Sequence, residues 1–210
     1  MKFQQPSAKS IALIEHFEIG DSGDYQPQPT WPGGASGVTV GIGYDLGYAS
    51  PVQIEQDWIA LPLPIITRLQ SYAGKCGASA QQLIAHIDDI NVPLDVAKSV
   101  FESRDIPRVS ALTASTFFNT DKISADCFGA LVSLIFNRGA SMTDTIPGNR
   151  LEMRQIRDAM QSGNFAEIPR LIRAMKRLWV GRGLDGLLAR RDAEADLFQA
   201  GLISPLPGES

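Results

Sequence analysis

Apolar side chains recur at helical spacing along most of this chain, with one glycine-rich interval breaking the pattern. In "SAKSIALIEHFE", residues 7–18, Ile11, Ile14 and Phe17 fall on one side with Leu13 close by. This predicts a helix, with Ser7 or Ser10 as its cap. The stretch "IGDSGDYQPQPTWPGG" that follows holds too much Gly, Pro and Asp for regular structure. "GVTVGIGYDLG", residues 37–47, reads as a short hairpin or paired strands. Ser50-Pro51 is an N-cap and first-turn pair for the helix "PVQIEQDW". Beyond that the spacing predicts helices near 62–73, 79–90, 93–103, 107–118, 124–138, 150–162, 165–180 and 185–200. "DCFGALVSLIFNRG" is apolar nearly all round and predicts a buried central helix. Asn164 with Glu167 predicts a capping box, Pro169 a kink, and Gly201 a helix stop with Pro205 behind it.

These elements imply an α+β, predominantly α chain. The expected organisation is one domain of two lobes with a cleft between: residues 1–60 carry the β-ribbon, 61–203 are helical, and 204–210 form a disordered tail. No internal repeat is found.

Composition narrows the function. The chain has 210 residues, 44% hydrophobic and 20% charged, with a net charge of −4. That balance gives no reason to expect a nucleic-acid partner. Basic residues are dense from Arg138 to Arg191, while the first hundred residues are acidic. Cys76 and Cys127 are far apart and expected to be free thiols, and His16 and His86 are the only histidines, so neither a metal nor another cofactor is expected. No apolar run approaches the ~20 residues of a membrane span. "MKFQQPSAKSIALIEHF" holds no long apolar core of a secretory signal, so the expectation is a monomer made in the cytoplasm.

Candidate chemistry gathers around the ribbon. Glu18 closes the first helix among Ile14, Phe17 and Ile19, and a carboxylic acid in apolar surroundings tends to keep its proton, as a general acid must. The plainer alternative is a solvated or arginine-paired helix end. An inverting glycosidase also needs a second carboxylate across the scissile bond, with room for a water. Thr39 could orient that water and Asp45 take its proton. With Gly41 and Gly43 on the face of Thr39, the ribbon would offer a sugar ring a bare floor. The alternatives are plain β propensity for Thr39 and, for Asp45, a turn aspartate capping its own backbone. Trp31 and Tyr44 could stack on a sugar face, and Asn137 and Arg138 end the central helix. Arg190 and Arg191 read as structural partners of Asp192, Glu194 or Asp196, and Trp179 and Phe198 as core.

The helix ending in Phe17-Glu18, followed by Thr39-Val40-Gly41-Ile42-Gly43, resembles the phage-type lysozymes. "GALVSLIFNRG" (129–139), "AMKRLW" (174–179) and "GLLARRDAEADLF" (186–198) are similar to that family's central, penultimate and closing helices, in the same order. The resemblance implies a lysozyme-like fold and cleavage of the β-1,4 link between N-acetylmuramic acid and N-acetylglucosamine in peptidoglycan. It puts Glu18 at the catalytic acid and Thr39 at the water-positioning threonine, and it suggests that Asn137 and Arg138 meet the glycan or its peptide. One departure matters. The family's aspartate precedes the threonine, whereas here "PQPTWPGGASGV" holds no acid. Asp45, placed after Thr39, resembles the arrangement in pesticin-like hairpins, and Asp24 on the preceding loop is the other candidate. Expected partners are peptidoglycan strands and, for an injected effector or bacteriocin, a proteinaceous inhibitor. A phage endolysin is equally compatible, with the cell wall as the place of action. A chitinase- or chitosanase-like glycosidase and a non-catalytic glycan-binding module are the competing classes.

Overall fold

The computed structural model describes residues 4–19, 25–84, 87 and 89–204. Asp24, His86 and the tail beyond Ser204 lie outside them. Among the described residues the chain is predominantly helical, with a two-stranded antiparallel sheet. It divides into two compact units, one of Glu18–Asp105 and one of Met1–Phe17 with Ile106–Ser210. The boundary expected near residue 60 therefore moves to Asp105, because the helices that follow the ribbon cluster with it rather than with the later ones.

In the Glu18–Asp105 unit, β1 (Thr39–Val40) pairs with β2 (Tyr44–Asp45) around a three-residue turn. Val38, Val40, Ile42, Tyr44 and Leu46 are all buried, the period-two alternation of a half-buried ribbon. Ser50 caps α2 (Pro51–Asp57) as its sequence predicts: its hydroxyl accepts the Gln53 N–H at 3.2 Å, and the Gln53 side chain accepts the Ser50 N–H at 3.0 Å. α3 (Leu63–Gln70) packs on α2. α4 (Ala78–Leu83) is shorter than the predicted 79–90 helix. α5 (Leu94–Val100) widens into one π-helical turn, Phe101–Asp105.

The other unit is built on α7 (Ala125–Arg138), whose residues from Cys127 to Ile135 are all buried. α6 (Ile106–Thr116) and α10 (Asp185–Gly201) pack against it. α1 (Ala8–Ile19) also lies against α7, since a Cβ at Gly129 would sit 2.0 Å from the Ser10 hydroxyl. The absent side chain is what lets the two helices approach. Gly201 works the same way and does not stop α10: a Cβ there would meet Cys127 Sγ at 2.7 Å, while the chain turns off at Leu202. Cys76 and Cys127 are both free.

α8 (Leu151–Ser162) packs on α9 (Ile168–Ala174), and the predicted 165–180 helix is really three pieces. A 3₁₀ turn at Phe165–Glu167 precedes α9, and another at Met175–Leu178 follows it. The Asn164–Glu167 capping box does not form: Asn164 makes no side-chain cap bond, and Glu167 pairs with Arg170. Pro169 lies in the first turn of α9, where its missing N–H has no helical partner to lose, so it marks a start rather than a kink. No helix among the described residues is long and apolar enough to cross a membrane.

Candidate active site

Thr39 and Asp45 face each other directly across the ribbon. The Thr39 N–H and carbonyl are both taken on the other edge by Thr30, at 2.7 and 2.8 Å. Thr39 and Asp45 are therefore a non-hydrogen-bonded pair, the kind whose side chains come closest on one face. The two backbone bonds to Thr30 make Thr39 a rigid mount.

Asp45 is held more tightly still. Its Oδ1 accepts the Gly47 N–H at 2.8 Å and the Gly37 N–H at 3.1 Å, and Oδ2 shares the Gly37 N–H at 3.1 Å. The Gly47 bond caps a 3₁₀ turn at Leu46–Tyr48, the local turn role that "YDLG" suggests. Two glycines make room for this: a Cβ at Gly37 would lie 2.3 Å from Asp45 Oδ1, and one at Gly47 would lie 2.5 Å from Cys76 Sγ.

The ribbon's glycines do not form a bare floor beneath a sugar. The strand ends at Val40, so Gly41 and Gly43 belong to the turn and not to the Thr39 face. Gly41 has φ 60°, and a Cβ there would strike Trp58 at 2.7 Å. Glycine answers here to backbone handedness and to the core behind it.

Tyr44 is a core residue and offers no stacking platform. Its ring is 8% exposed, lies edge-on to Trp58 with centroids 5.4 Å apart, and donates its hydroxyl to Asp57 Oδ2 at 2.8 Å. Arg104, in the π-helical turn, completes the group with a 2.9 Å ion pair to Asp57 Oδ1. Helical periodicity does not signal this Tyr44–Asp57–Arg104 chain, because its members are distant in sequence. Burial, then the Asp57 hydrogen bond, pushes the Tyr44 phenol well above its ordinary value, and burial pushes Tyr25 up to about 12. A phenol raised on folding contributes stability that is complete below its unfolded pKa near 10 and is lost as pH rises through the folded value. Stability should accordingly fall above about pH 10, by up to ~1.4 kcal/mol per pH unit for each phenol. Urea unfolding of Tyr44→Phe should lose one phenol's share of that slope, at a cost of about 1–2 kcal/mol at neutral pH.

Glu18 is the penultimate residue of α1 and is half-buried, as are Phe17 and Ile19. It belongs to the same unit as Thr39 and Asp45. Trp31 donates its ring N–H to the Ser36 carbonyl at 3.0 Å, which closes the loop before the ribbon.

Asn137 and Arg138 belong to the other unit, at the end of α7, where Asn137 is exposed and Arg138 half-buried. Arg138 lies 5.1 Å over the Trp179 ring and donates from Nη2 to the Asn149 carbonyl at 2.6 Å. Burial, with Arg150 and Arg191 nearby, depresses it to about 10. Arg190 and Arg191 both pair with buried Glu194, as structural residues would, and Trp179 and Phe198 are buried. Arg190 also lies 5.6 Å over the ring of Phe17, the residue before Glu18.

Among the described residues, no group of three or more His, Cys, Asp or Glu side chains could hold a metal ion. No protein-family model and no curated protein matches this chain.

Proposed function

We propose that this protein is a peptidoglycan hydrolase with a lysozyme-like fold. It would be a muramidase that cleaves the β-1,4 bond between N-acetylmuramic acid and N-acetylglucosamine by single displacement with inversion. The observation that carries the reading is the cross-strand pair Thr39–Asp45, following a helix whose penultimate residue is Glu18. Glu18 protonates the leaving oxygen, Thr39 positions the water, and Asp45 accepts the water's proton. A carboxylate offers about four lone-pair sites, and the bonds from Gly37 and Gly47 fall mainly on Oδ1, so Oδ2 keeps capacity for a water. The anchored oxygen fixes the carboxylate's direction, which suits a base that must act in one geometry. The place of action is the cell wall, in an antibacterial or lytic role, with glycan strands as substrate and an inhibitor protein as a possible partner of an effector.

A second reading is a glycan-binding module without turnover. It is favoured by the same backbone bonds, which give Asp45 a complete structural task. Asp45→Asn separates the two. The amide oxygen can still accept the Gly37 and Gly47 N–H groups, so the melting temperature should stay close to wild type. Turnover of purified glycan strands should fall by roughly 10²–10⁴-fold. Unchanged turnover would make Asp45 a cap and nothing more.

A further inference from the structure

The N–H groups of Gly37 and Gly47 that hold Asp45 belong to peptide groups whose carbonyls are themselves engaged. The Gly37 N–H, which donates to both Asp45 oxygens at 3.1 Å, shares its peptide with the Ser36 carbonyl. That carbonyl accepts the Trp31 ring N–H at 3.0 Å and the Gly77 N–H at 2.9 Å. The Gly47 N–H, on Asp45 Oδ1 at 2.8 Å, shares its peptide with the Leu46 carbonyl, which accepts the Gly74 N–H at 3.3 Å. One segment, residues 74–77, therefore grips both peptides at their carbonyl ends, and Cys76 within it forms a backbone bridge to Gly37. Trp31 joins this grip with a side chain.

Electron delocalisation joins the two ends of a peptide group. Hydrogen bonds accepted at the oxygen draw electron density from the nitrogen, so the N–H at the far end becomes a stronger donor. Bonds at the carbonyl also fix the plane of the peptide, and with it the direction in which its N–H points. Two donors converge on the Ser36 oxygen, and the Gly37 N–H leaves the same plane toward the carboxylate. Trp31 is half-buried and acts through its ring N–H, so its part can be removed without altering the backbone.

We propose that Trp31 is a positioning residue for Asp45, its indole N–H acting through the Ser36–Gly37 peptide to strengthen and aim the Gly37 bond on the carboxylate. The effect on rate rests on the reading of Asp45 as the base of the hydrolysis, whereas the effect on the Gly37 N–H does not. Trp31→Phe keeps an aromatic face and removes the donor. On purified glycan strands, kcat should fall roughly 5–50-fold while KM stays within about twofold of wild type. In proton–nitrogen NMR spectra of the free variant, the Gly37 amide proton should move upfield and exchange with solvent about 5–10 times faster than in the wild type. A raised KM at unchanged kcat would make Trp31 a sugar platform and overturn the proposal. A Gly37 amide unmoved in both shift and exchange would overturn it too. A wild type without turnover sinks the hydrolase reading alone, and the Gly37 amide then decides the role of Trp31. Should the variant not fold, the benzothiophene analogue of tryptophan at position 31, which replaces only the N–H by sulfur, carries the same readouts.

Discussion

Glu18→Gln is expected to lower the turnover of purified peptidoglycan strands by roughly 10²–10⁴-fold, with binding and melting temperature little changed. The substitution keeps the shape of the side chain while removing the acid that the proposed mechanism requires. Glu18 is half-buried one residue from the end of α1, where an isosteric change disturbs little packing. Release of new reducing ends measures turnover, and co-sedimentation with insoluble cell wall measures binding. Full turnover in the variant would take Glu18 out of the chemistry. Binding by a wild type that releases no reducing ends would favour the glycan-binding module.

Glu194→Ala is expected to be the most destabilising single change, costing about 3–5 kcal/mol. The carboxylate is fully buried and accepts from Arg190 at 3.2 Å, Arg191 at 2.7 Å and Ser133 at 2.6 Å. Its removal takes the shared carboxylate from two buried guanidiniums, Arg190 3% exposed and Arg191 not at all. Urea unfolding followed by circular dichroism gives the number, and Glu194→Gln, which keeps the oxygen acceptor, should lose less. A loss under about 1 kcal/mol for the alanine variant would mean that solvent reaches this network.

What could be read from the sequence was what depends on near neighbours. Helical spacing placed α1, α7 and α10 to within a residue or two, because each carries its apolar face in its own sequence. The Ser50 cap was equally legible, since both partners lie within four residues. The same logic failed at Asn164 and Glu167, where a 3₁₀ turn and the nearby Arg170 took the place of the capping geometry. Gly201 and Gly41 were misread for a different reason. Their lack of a side chain answers to Cys127 and to Trp58, distant residues that no local pattern names.

The candidate site divides in the same way. The ribbon was legible, and Thr39 and Asp45 stand equally far from Ile42 at the centre of the turn, a symmetry that signals their pairing. The Gly37 N–H on Asp45 and the Asp57 partner of Tyr44 were not, because both come from folding the chain back on itself. Tyr44 has the side chain of a sugar platform, but its burial against Trp58 takes it out of that role.

The central claim is that Glu18, Thr39 and Asp45 cleave the muramyl bond by inversion. Proton NMR of the first product from purified glycan strands, recorded before mutarotation, tests it most directly. An α anomer at the new N-acetylmuramic acid reducing end is the expected result, and a β anomer, or no new reducing end at all, would contradict it.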